Sequence, residues 1–140
     1  MDKFVKNFIA MSIVYLALAS VLGVFMMVDQ RFLPTFRFVH SHFMLLGWVS
    51  MMIYGVGYHI LPRFAGKLIS KPGLAMFQFW ISNIGLVGMV VFYTLISFNP
   101  DVAAYKWLVG ISGSLQVLSS VIFFYLMFTT LFTNPPQPQH

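Results

Sequence analysis

The sequence predicts an all-α integral membrane protein, four transmembrane helices in an antiparallel bundle. Three observations predict it. Of the 140 residues, 59% are hydrophobic and only 8% charged, with eight basic and three acidic side chains in all. A soluble domain carries roughly 25% charged residues, and so few charges cannot clothe a globular surface. Four long apolar runs follow one another, about 7–28, 38–61, 74–98 and 107–132. Each exceeds the roughly 20 residues that cross a hydrocarbon core at about 1.5 Å per residue. Finally, prolines fall between the runs: Pro34 in the first connection, Pro62 and Pro72 around the second, Pro100 in the third. Proline has no backbone N–H to give, so it marks breaks.

The first run follows Lys3 and Lys6, as a secretory signal would. It is longer than the roughly 7–15 apolar residues of such a signal and has no Ala-x-Ala exit, so it is expected to stay as a span. The second run carries three of the four histidines, His40, His42 and His59. The third holds Gln78 and Asn83, and the fourth Gln116, Ser119 and Ser120. Hydrogen bonds between helices account for these polar groups. Residues 1–133 form one four-helix domain on this reading. The Pro-rich tail 134–140, with Pro135, Pro136 and Pro138 and ending in His140, is expected to be disordered. No internal repeat is visible.

Charge and cysteine usage exclude several classes. With no cysteine there is no disulfide framework, thiolate metal site, iron–sulfur cluster or covalent heme attachment. The net charge of +5 is spread singly over span ends, whereas a nucleic-acid surface needs bases clustered on one face; no nucleic acid is expected as a partner. Four spans put both termini and the second connection on one side. That side holds Lys3, Lys6, Arg63, Lys67 and Lys71 against Asp2; the other holds Arg31, Arg37 and Lys106 against Asp29 and Asp101. Excess bases mark the cytoplasmic side, so both termini are expected in the cytoplasm, in a bacterial inner membrane.

Histidine is the commonest nitrogen ligand for metals, and ionisable groups at membrane depth point to function. At about 100° per residue, His40 and His42 lie roughly 200° apart around a helix. They cannot chelate one ion, but they can serve two sites on opposite faces. Below His40 fall Met44, Gly47, Met51, Tyr54 and Tyr58; below His42 fall Leu46, Val49, Ile53 and Ile60. Gly47 removes a side chain where a flat macrocycle could approach. Two readings stay open on the residues alone: heme or metal ligands, or interfacial histidines hydrogen-bonded to neighbouring helices. His59 lies about 28 Å further along the helix and cannot share their ligand sphere.

The stretch His40-Ser-His42-Phe-Met-Leu-Leu-Gly47-Trp48, followed by Gly55, Tyr58, Leu61-Pro62-Arg63 and Gly66, resembles helix X of the catalytic subunit of the heme–copper oxidase superfamily. The cbb3-type oxidases and nitric oxide reductases are nearest in flavour. Phe79-Trp80-Ile81 and Asn83-Ile84-Gly85 are similar to the family's next helix. Helix II of that family, with a single heme histidine, is a competing alignment that the second histidine disfavours. The resemblance implies a stand-alone four-helix piece like the subunit's last four helices. It implies His40 as ligand of a high-spin heme and His42 of a low-spin heme. The three copper histidines, the His–Tyr motif and the opposite low-spin ligand have no counterpart here, so no copper is expected and the chain alone is not an oxygen-reducing oxidase.

Six-coordinate heme needs a second axial ligand. A symmetric dimer supplies it, because a two-fold axis brings the same patch of each subunit together. His42 of two chains could then share one heme b while His40 holds another in each chain, its free side open to nitric oxide or oxygen. Met26, Met27 and Met44 are alternative partners. Arg37 is best placed for heme propionates, with Arg31 and Lys106 behind it. The expectation is a b-type heme protein that binds a diatomic gas or transfers electrons. The alternatives are a heme-free accessory or assembly subunit of a respiratory complex, and a small transporter or copper-handling protein.

Overall fold

A computed structural model describes residues 1–132; the predicted disordered tail 134–140, with His140, lies outside them. The described residues form α1 (Lys3–Val28), a 3-10 turn (Gln30–Phe32), α2 (Leu33–His42), a π-helical segment (Phe43–Ser50), α3 (Met51–Phe64), α4 (Pro72–Phe98) and α5 (Ala103–Phe132), with no strand. The turn, α2, the π segment and α3 run on as one second span, Gln30–Phe64. Four helices are thus long and apolar enough to cross a membrane, and the chain is a four-helix membrane bundle.

The second span starts eight residues before the expected boundary, because Pro34 does not break it. Pro34 sits in the first turn of α2, where its missing N–H has no intrahelical acceptor to disappoint. Pro72 does the same for α4. Pro62 lies inside α3 rather than beyond it. What stops α3 is Gly66, the one glycine with positive φ, 64°. Lys67 N–H reaches Pro62 O (2.8 Å) and Gly66 N–H reaches Arg63 O (3.0 Å). This paired closure needs a left-handed residue, which only glycine adopts freely.

Antiparallel packing follows the chain. The second span lies along α1, with its first half, α2, also against α4 and its last half, α3, against α5. The α4–α5 pair is the most extensive, and α1 does not touch α5. The second connection is tied to the end of α5: Lys67 Nζ donates to Leu131 O (2.8 Å) and Lys71 Nζ to Tyr125 OH (2.9 Å). A core of Phe8, Met51, Tyr54, Tyr58, Phe79, Phe123 and Leu126 fills the half of the bundle around α3. Phe8 meets Phe79 edge-on at 5.3 Å and Tyr54 at 5.6 Å, an arrangement aromatic quadrupoles favour. Only between 22% and 39% of each apolar span window is buried. Many large apolar side chains, Val21, Val117 and Phe128 among them, are exposed, a surface that suits lipid.

Candidate functional site

His40 and His42 close α2 immediately before the π segment. Such segments insert extra chain into a helix and recur at functional positions. Here Ser50 Oγ donates to Leu45 O, five residues back, at 2.9 Å, in step with the wider winding.

Both rings are half-buried, and each is held by its Nδ1. His40 Nδ1 lies 2.9 Å from Ala19 O on α1. His42 Nδ1 lies 2.8 Å from Phe38 O, one turn back on α2. A carbonyl oxygen only accepts, so Nδ1 must carry the hydrogen in both, and in the neutral ring the lone pair falls on Nε2. Among the described residues no hydrogen bond engages either Nε2, and neither is among the side-chain atoms sealed from the surface without a partner.

The two rings occupy different sides of the helix. His40 packs on α1 beside Gly23: a Cβ there would stand 3.1 Å from His40 Cε1. Gly23 follows Ala19 by one turn, so its bare backbone lets the ring reach the carbonyl. His42 stacks on Phe38 with centroids 3.8 Å apart, and Phe38 stacks on Tyr93 of α4 at the same spacing. The separate placement expected from the spacing is what the helix delivers.

Other expectations change. Gly47 offers no room for a macrocycle: a Cβ there would fall 2.6 Å from Tyr15 Cβ and 3.1 Å from Leu86 Cδ2. It is a crossing point where α1 closes on the second span. Met51, Tyr54 and Tyr58, read as part of the His40 face, are buried core. Of the methionines considered as partners, Met26 is buried and Met27 is 79% exposed. Arg37 is exposed, three residues before His40. Arg31 is committed to Asp29 through Nε (2.9 Å) and Nη2 (2.7 Å), and its guanidinium holds the Asp29 carboxyl below its usual 3.8. His59 is engaged by the Arg63 guanidinium, which also donates to its carbonyl at 3.1 Å.

Apolar grooves run along the outside. One of about 640 Å³ between α1 and α4 is lined by Tyr15, Phe79, Trp80 and Asn83 among others. Another of about 580 Å³ between α1 and α2 is lined by Val21, Phe25, Phe36 and Val39 among others. Neither includes His40 or His42. Among the described residues no three His, Asp or Glu side chains converge.

Ala19, Gly23, Phe38 and Tyr93 were not singled out by sequence reasoning. Phe38, four residues before His42, could have been found from helical spacing. A backbone carbonyl on another helix leaves no sequence signal. Comparison with protein-family models, with curated proteins and with solved structures finds no match.

Proposed function

We propose that the chain is a b-type heme membrane protein, similar in kind to part of the catalytic subunit of oxidases and nitric oxide reductases. It binds a diatomic gas, nitric oxide or oxygen, or passes electrons. The observation that carries this reading is the pinning of both Nδ1 atoms by main-chain carbonyls. Metal-ligating histidines nearly always donate their other ring nitrogen in this way, which fixes the tautomer and aims the ligating lone pair. The donor set suits heme, which takes one or two nitrogens from the protein. When bound, heme supplies an iron that takes up a gas or an electron. The chain's own part is to hold His40 against α1 and His42 beside α4, so that each serves a separate iron. Arg37 is the cation for propionates.

A second axial nitrogen for His42 comes from a second copy of the chain. The proposal is therefore of a homodimer, with heme held within or between subunits. The membrane is a bacterial inner membrane, with both termini in the cytoplasm. The second connection shares the end of the bundle where α5 finishes, and the bases gathered there favour that orientation.

The visible spectrum of the purified protein tests the reading. A Soret band is expected, and its absence after expression with ample heme overturns the proposal. His40→Ala is expected to abolish gas binding while leaving the low-spin spectrum; His42→Ala is expected to do the reverse. Since the chain has no cysteine, single Ser70→Cys and Ser97→Cys variants report orientation. An impermeant maleimide added outside should label the second and spare the first.

One observation favours a second reading, a heme-free accessory subunit of a respiratory complex. The two grooves beside α1 include neither histidine, and both rings already pack against protein. In that case His40→Ala and His42→Ala leave function intact.

A further inference from the structure

Between α4 and α5 the bundle core contains polar atoms that no described residue satisfies. Gln78 Nε2, Ser82 Oγ and Ser119 Oγ are sealed from the surface and have no hydrogen-bond partner, and all three residues are 0% exposed. An orphaned polar atom is costly in any protein interior. It is costlier at membrane depth, where no bulk solvent reaches it.

The three belong to one place. Gln78 and Ser82 stand one turn apart on α4, so their side chains are neighbours on one face. Gln116 Nε2 of α5 donates to Ser82 O at 2.5 Å, while Ser112 packs at Gly85 and Gly88. This antiparallel register carries Ser119, one turn beyond Gln116, to the level of Gln78 and Ser82. The surroundings hold the cluster still. Tyr58 OH donates to Gln78 Oε1, and Tyr54 OH pairs with Ser120 Oγ at 2.9 Å. Whichever way round the Gln78 amide sits, Tyr58 engages one of its ends and the other is left over.

We propose that Gln78, Ser82 and Ser119 bind a buried water molecule that bridges α4 and α5. The chemistry matches. A buried water makes about three hydrogen bonds, donating and accepting, to groups otherwise unsatisfied. Two hydroxyls can each give or take a hydrogen, and the amide completes the set. A purely apolar occupant would leave all three orphaned. A cation would find few acceptors and no carboxylate. The water makes the α4–α5 pairing specific, because sliding one helix along the other separates its partners.

Ser82→Ala and Ser119→Ala test this, measured as thermal unfolding midpoints of the full chain in detergent micelles. If one water joins them, each variant leaves it short of partners, and each midpoint falls by about 4 °C. The double variant then falls about as far as either single, since the same water is lost once. If the hydroxyls are dry orphans, removing them leaves the midpoint unchanged or raises it, which overturns the proposal; additive losses overturn the sharing. Water-to-protein polarisation transfer in solid-state NMR of the unsubstituted chain in bilayers gives a second readout. Transfer to both Ser82 and Ser119 is expected, and its absence from them overturns the proposal whatever the variants do.

Discussion

At the scale of single residues, the histidine pair owes its placement to groups that carry no chemistry of their own. His40 reaches the Ala19 carbonyl because Gly23 has no side chain. Gly23→Ala puts a methyl 3.1 Å from His40 Cε1, so the ring must give by a few tenths of an ångström. In the heme reading this variant shifts the spectral features that His40→Ala removes, and leaves those belonging to His42; the two spectra compared on one preparation check it. In the first connection, Arg31 holds Asp29 below its ordinary value of 3.8. A depressed carboxylate keeps its pairing above the unfolded value and loses it as pH falls through the lowered one. The Asp29 carboxyl carbon should therefore titrate in NMR with a midpoint under 3.8, and Arg31→Ala should bring it back up. The opposed histidines were legible from their spacing, because α2 is regular α-helix through His42. Their partner Ala19 was not, because any residue's carbonyl would look the same.

At the scale of elements, four apolar runs announced four spans, and their number and order were legible. The runs ending at Val28, Phe98 and Phe132 end where the helices do, but the starts were not legible, since proline marks a break only when it falls beyond the first turn. Pro34 and Pro72 fall within that turn. The π winding of Phe43–Ser50 was hidden too, as an apolar run has no period to betray a change of pitch. Helix crossings rest on pairings far apart in sequence, and Gly47 shows the consequence. Gly47→Ala sets a Cβ 2.6 Å from Tyr15 Cβ, an atom tied closely to backbone. Overpacking of this kind costs about 1–3 kcal/mol. Gly113→Ala, with nothing within 4 Å of the added atom, should not lower stability. Unfolding midpoints of the two variants, side by side, separate a crossing point from a bystander.

At the scale of the whole molecule, α1 and α5 stand at opposite corners, and the second span and α4 join them across the middle. Large apolar side chains are exposed along every span; Val117, halfway along α5, is 65% exposed. If lipid surrounds it, Val117→Lys costs about 2.5–3.5 kcal/mol on insertion. Membrane-integrated yield should then fall sharply, whereas a water-facing site would accept lysine with little change. The π segment has a further consequence for the molecule as a unit. It sets the angular phase between two halves of one span: the half that carries the histidines and the half that carries Tyr54 and Tyr58 into the core. Removing one residue within 43–50 could leave an unbroken helix of sufficient length to cross the bilayer, yet turn one half by about 100° against the other. With Tyr54 and Tyr58 anchored, it is the histidines that would swing away from α1 and α4. The span tolerates such a deletion as a membrane segment and fails it as a dial.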